Sequence, residues 1–246
     1  MTRVTIVSCV ATLAVAIAGC TRSGADVKAA GSSAAGSLAS DSASGSTGTA
    51  AVAPAVTQQK PADTLAARID KARMQGDSAA PVWVIMGSDF QCPYCKMWHD
   101  ASFAKLMADY VRPGKVRLAF VNFPMPMHDH AIVAAEAAMC AAAQGQFWPM
   151  HDSLFAAQER WASEKDPIPR FAALLPRGVD QAAWRQCVTS HAARGVIDGD
   201  RARLAAAGVN GTPTFFIGAT IMAGNQPYDS LATLIKAQLR KMGLER

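Results

Sequence analysis

Two cysteines separated by two residues, Cys92 and Cys95 in Phe90-Gln91-Cys92-Pro93-Tyr94-Cys95-Lys96, are the residues whose type and spacing most directly imply chemistry. At that separation they can close a small disulfide across the first turn of a helix, so the pair can alternate between dithiol and disulfide without moving the chain around it. The flanking sequence supplies the helix. Pro81 to Met86 is apolar, partly β-branched and strand-like, whereas Trp98, Ala101, Phe103, Leu106, Met107 and Tyr110 recur at helical spacing. The motif therefore falls at a strand-to-helix junction, with Cys92 at or just before the helix N-terminus and Cys95 in the first turn. Free backbone N–H groups and the positive end of the helix dipole favour an anion there, in this case a thiolate. Cys92 is the expected nucleophile and Cys95 the less exposed resolving thiol.

A C-x-x-C pair can instead be half of a zinc site. Tetrahedral zinc takes four ligands, and neither a second C-x-x-C nor an H-x-x-x-H follows. His99, one turn beyond Cys95, is a candidate third ligand, although a histidine there is expected to be solvated. Met125, Met127, His128 and His130 form another group of soft donors. They lie in a segment broken by Pro124 and Pro126, which reads as a connection in which Asp129 caps the next helix. No metal and no cofactor is expected.

The elements that must position the pair follow from periodicity and punctuation. Thr64 to Gln75 reads as a leading helix with Leu65, Ile69 and Ala72 on one face, Asp63 as cap and Gly76 as stop. Lys115 to Phe123 reads as a second strand. A helical run follows: His130 to Gln144, Trp148 to Phe155, Pro169 to Leu175, a helix capped by Asp180, and Ala192 to Ala207. In the Asp180-capped helix Trp184, Cys187, Val188 and His191 share a face, with His191 at a solvated edge. Strand character returns at Gly211 to Ile217 and Thr220 to Met222, and Asp229 to Leu239 is the last helix. This order is an α/β fold of thioredoxin type with a helical subdomain inserted at about 129–207, inside a globular region of 61–246.

The first 19 residues read as a secretion signal: a short charged start, then an apolar run too short for a comfortable membrane span. Ile17-Ala18-Gly19-Cys20 resembles the lipobox of bacterial lipoproteins, which implies cleavage before Cys20 and a lipid on Cys20. Residues 20–60 are Ser, Ala, Gly and Thr with almost no large apolar side chain, too little to offset ordering entropy, and read as a tether. A flexible chain of that length spans about 35 Å end to end. Without Arg3, the 24 Lys and Arg become 23 against 19 Asp and Glu, a dispersed +4 that gives no case for nucleic acid.

Taken together, Asp89-Phe90-Gln91-Cys92-Pro93-Tyr94-Cys95, Phe123-Pro124 with His128, Gln144-Gly145-Gln146-Phe147-Trp148 and Gly211-Thr212-Pro213-Thr214-Phe215-Phe216 resemble the DsbA-like thiol-disulfide oxidoreductases of the thioredoxin superfamily. The resemblance covers most of Pro81 to Leu239. It implies that Cys92 and Cys95 are the redox pair, that Pro93 and Tyr94 belong with Thr212 and Pro213 to the active-site and substrate-binding surface, and that Pro213 is cis and faces the pair. The Thr212 backbone is then exposed beside Cys92, where an extended substrate can pair like an added strand. Cys140 and Cys187, on two helices of the inserted block, are expected to form a second disulfide, as in some members of the family; two inert buried thiols are the alternative. The chain departs from the family at Met86, where an acidic residue able to exchange a proton with the second thiol is usual.

The resemblance implies an enzyme that oxidises cysteine pairs in exported proteins, lipid-anchored on the extracytoplasmic side, monomeric, and recycled by a separate redox partner. A disulfide isomerase or reductase uses the same chemistry in reverse. A copper-binding module built on Cys92, Cys95, Met125, Met127 and His128 is a third reading.

Overall fold

The structure, a computed structural model, describes residues 64–244. The signal, Cys20, the tether and the Asp63 cap lie outside the described residues.

Two parallel strands carry the redox motif. In β1 (Met74–Gln75), β2 (Val82–Ser88), β3 (Val116–Asn122), β4 (Thr214–Ile217) and β5 (Thr220–Ala223), the sheet order is β1-β3-β2-β4-β5. β2 and β3 pair in parallel from Val82↔Val116 to Ser88↔Asn122, and the other pairings are antiparallel. Parallel neighbours need a crossover, and here the crossover is the cysteine helix. β3 alternates strictly, with Val116, Leu118 and Phe120 fully buried. β2 is buried on both sides at its C-terminal end, which brings Ser88 and Asp89 under the motif.

The cysteine helix begins as α2 (Pro93–Trp98) after α1 (Leu65–Ala72). It does not stay regular: π-helical turns at His99–Phe103 and Met107–Val111 flank a short α-helical turn at Ala104–Leu106. Between β3 and β4 lies the helical block: α3 (Ala131–Ala142), α4 (Phe147–Ala156), α5 (Gln158–Trp161), α6 (Ile168–Ala173), α7 (Gln181–Thr189) and α8 (Arg194–Ala206). The last helix is α9 (Tyr228–Lys241). Among the described residues no helix is long and apolar enough to cross a membrane. Cys140 on α3 and Cys187 on α7 are joined by a disulfide, 47 residues apart in sequence.

The structure corrects several sequence expectations. α1 ends at Ala72, capped by Thr64, whose side chain accepts from the Ala67 N–H. Met74 and Gln75 are instead an edge strand on β3. The break comes at Arg73, whose carbonyl accepts from Phe120 N–H and whose guanidinium is drawn inward. There it meets Asp200, fully buried on α8, which also accepts from Asn122 N (3.0 Å), Asn122 Nδ2 (2.7 Å) and Arg203 Nη2 (2.6 Å). This network fastens α1 and α8 to the end of β3.

Asp129 does not cap α3; His130 occupies the cap position without a side-chain bond. The His130 backbone N–H donates to Gln91 Oε1 and its ring lies 2.7 Å from the Glu164 carbonyl, so docking to the redox loop sets where α3 starts. Asp180 does cap α7. His191, at φ 54°, is exposed as expected, and its Nδ1 lies 3.0 Å from both carboxylate oxygens of the buried Glu136.

Candidate active site

Cys92 is the N-cap of α2, extended at φ −67° and ψ 123°, with Pro93 at the first helical position where a missing N–H costs nothing. Both cysteines are free thiols and nearly buried, Cys92 at 4% exposure and Cys95 at 2%. The Cys92 thiol is lowered to about 6. The Cys95 sulfhydryl, donating to the Cys92 sulfur, is the largest cause. Burial opposes the shift, and the Cys95 and Tyr94 backbone N–H groups reinforce it. Cys95 is pushed in the other direction, well above an ordinary thiol, by its own burial and by the neighbouring Cys92 sulfur. At neutral pH the pair thus holds one thiolate, at Cys92, and one proton, at Cys95.

The Thr212–Pro213 bond is cis, and the Thr212 carbonyl lies 3.5 Å from Cys92 Sγ. Cys92, Pro93, Tyr94, Met125, Met127, His128, Gly211 and Thr212 line one cleft of about 280 Å³. Tyr94 and Met127 are 59% and 68% exposed at its rim. Met125, Met127 and His128 are therefore brought to the pair, while His130 turns away to the Glu164 carbonyl. His99 is not simply solvated: it stacks on Phe103 and Phe155 and bonds to Asp100 and Asp152.

Several positioning residues escaped the sequence reading. Gln158 on α5 donates from Nε2 to the carbonyls of Phe90 (2.6 Å) and Cys92 (3.0 Å), holding the loop that enters α2. Nothing local in the sequence marks it, since its partners lie 66 and 68 residues earlier. Asp89, in the loop before the cysteines, is buried. Its Oδ1 accepts from Gln91 N (2.8 Å), and its Oδ2 meets Met125 N (2.9 Å) and His128 Nδ1 (2.6 Å). It clamps the Met-Pro-Met loop against the redox loop. Met86 is 2% exposed and paired with Phe215 of β4, and is an apolar filler.

Comparison with known proteins settles the family. The thioredoxin family model, Thioredoxin_4, matches residues 69–237. The chain belongs to the thioredoxin family. Its fold is that of the DsbA-like thioredoxins: it is similar to BdbD from Bacillus subtilis, with a TM-score of 0.63 and 22% identity over 69% of this chain and 94% of that one. It is similar also to α-DsbA1 from Wolbachia pipientis, with a TM-score of 0.61 and 23% identity over 70% and 94%. Among curated relatives, a probable disulfide bond formation protein D of Bacillus anthracis is 29% identical over 68% of this chain and 77% of that protein. A Na(+)/H(+) antiporter NhaA 3 of Salinispora tropica is 34% identical over 71% of this chain, but the match spans only 26% of the antiporter. In this thioredoxin the positions around the cysteine pair are filled by Thr212, Gln158 and the Asp89–His128 clamp, and no carboxylate occupies position 86.

Proposed function

We propose that this chain is a thiol-disulfide oxidoreductase that oxidises cysteine pairs in exported proteins. The observation that carries the reading is the asymmetry of the pair, with Cys92 lowered to about 6 and Cys95 buried and raised. A substrate thiolate attacks Cys92 Sγ of the oxidised pair. The Cys92–Cys95 bond breaks, a mixed disulfide forms, and Cys95 leaves and takes a proton. The second substrate thiol, as thiolate, attacks its own partner's sulfur in the mixed disulfide and expels Cys92 as a stabilised thiolate. Two electrons pass from substrate to enzyme; of the two substrate protons, one stays on Cys95 and one enters solvent.

A stabilised Cys92 thiolate favours the reduced enzyme, which makes the disulfide oxidising. This supports the oxidase direction over isomerase or reductase. The apolar cleft beside Thr212 suits an unfolded peptide with large apolar side chains next to its cysteine. A separate redox partner is needed to reoxidise the pair. Cys20 is proposed to carry a lipid that holds a monomeric domain on the extracytoplasmic side of a membrane.

Equilibration with glutathione tests the direction. A potential near or above about −180 mV is expected, and one near about −270 mV would assign a reductase. Cys92→Ala should abolish oxidation of a reduced model protein. Cys20→Ser should move the otherwise intact protein from the membrane to the soluble fraction; retention in membranes would refute the lipid anchor.

A further inference from the structure

Away from the cleft, His99 just beyond α2 and His151 and Asp152 on α4 converge. Two imidazole nitrogens approach one carboxylate oxygen: His99 Nε2 lies 3.2 Å and His151 Nδ1 2.8 Å from Asp152 Oδ1. One donor atom from each residue falls within 4.8 Å of the others. The surroundings differ sharply. His151 is fully buried, ringed by Phe90, Phe120, Phe147, Trp148 and Phe155 at 5.0–5.8 Å between ring centres, most of them edge to face. Asp152 has about half its side chain in solvent.

As a proton-only network this arrangement is poorly satisfied. If His151 donates from Nδ1 to Asp152, its Nε2 keeps a lone pair in an aromatic cage, where that buried atom has no partner. If Nε2 carries the hydrogen, which suits the ring faces around it, Nδ1 turns a lone pair toward a carboxylate. His99 Nε2 faces Asp152 while Nδ1 lies 3.1 Å from Asp100 Oδ1; a neutral ring donates to only one of them, and only an imidazolium to both. A cation between the three donor atoms would take the lone pairs of His99 Nε2, His151 Nδ1 and Asp152 Oδ1 and leave His151 Nε2–H facing the aromatic rings.

We propose that His99 Nε2, His151 Nδ1 and Asp152 Oδ1 form a binding site for a divalent transition metal of zinc type. Two imidazoles and one carboxylate are a donor set for such an ion, and the exposed Asp152 side leaves a fourth position for water. The outer shell is also built. His99 Nδ1–H donates to Asp100, the carboxylate–imidazole pairing that orients metal-bound histidines, and Asp100 Oδ2 is held 2.7 Å from Lys96 Nζ. The ion would tie the helix that carries Cys95 to the inserted helical block. It is independent of Cys92 and Cys95 and of their redox role.

The test uses the purified protein with Cys92–Cys95 oxidised and any free thiol alkylated, so that no cysteine can bind the ion. Zinc competition against a chromophoric chelator should give one ion per chain. A free zinc concentration about 100-fold above Kd should raise Tm by about 5–10 °C. Cobalt should give the visible bands of a four-coordinate site. Asp152→Asn, at a half-exposed position, should lose these effects with the protein still folded, and Asp100→Asn should weaken binding about 10- to 100-fold. His151→Phe, which fills the aromatic cage, should remain folded and bind no ion. No stoichiometric zinc, or zinc binding unchanged in both Asp152→Asn and His99→Gln, overturns the proposal.

Discussion

Removing the Cys95 sulfhydryl while leaving Cys92 in place separates the two sources of thiolate stabilisation. The Cys95 S–H is the largest cause of the lowered Cys92 pKa, and the Tyr94 and Cys95 backbone N–H groups remain after any substitution at 95. A hydrogen bond to a charged acceptor is worth about 1.5–3 kcal/mol. At about 1.4 kcal/mol per unit this is about 1–2 pKa units. Cys95→Ala should therefore carry Cys92 from about 6 to about 7–8, whereas Cys95→Ser, which keeps a donor, should stay within about one unit of the native value. Thiolate absorbance or the rate of iodoacetamide alkylation, followed across pH, reads the change. At pH 7 the native thiol is about nine-tenths ionised, and that of the alanine variant about half or less. An alanine variant that titrates with the native protein would refute the reasoning and leave the helix end and backbone amides as sufficient causes.

The same group sets how the stability of the reduced form varies with pH. Cys92 ionises near 6 when folded and near 8.5 when unfolded, so between those values the native state binds fewer protons. Its contribution is complete above about pH 8.5, is about 1.4 kcal/mol at pH 7, and is lost as pH falls through about 6. Urea denaturation of reduced and oxidised protein should show the reduced form gaining on the oxidised form across that window. Replacing Cys140 and Cys187 together by Ser should cost about 4 kcal/mol in the chain-entropy account of a loop closed over 47 residues. Alkylation of denatured, unreduced protein should leave both unlabelled, and label on either would disprove the bond. Asp200→Ala should destabilise by about 3–5 kcal/mol, because it strands the buried Arg73 guanidinium and the Asn122 donors. A urea midpoint close to the native one would mean that water or Asp70 satisfies Arg73 instead.

What the sequence determined by itself was local or periodic. The strand-to-helix junction, the alternation of β3 and the Asp180 cap each follow from residues within a few positions of one another. The place of Cys92 at the helix end does so as well. The motif Gly211-Thr212-Pro213 was legible through family resemblance rather than through physics, since a proline before a strand has several ordinary explanations. Tertiary structure decided everything that depends on partners distant in the chain. Gln158 reaches back to Phe90 and Cys92, Asp89 becomes a buried clamp only because His128 closes over it, and α1 stops at Arg73 because Asp200 lies 127 residues ahead. His99 reads singly as a solvated residue, and nothing local in the sequence marks His151. Only packing α4 against the redox helix sets their nitrogens on one carboxylate oxygen, because hydrogen-bond and coordination geometry depend on ångström distances that helical and strand periodicity do not encode.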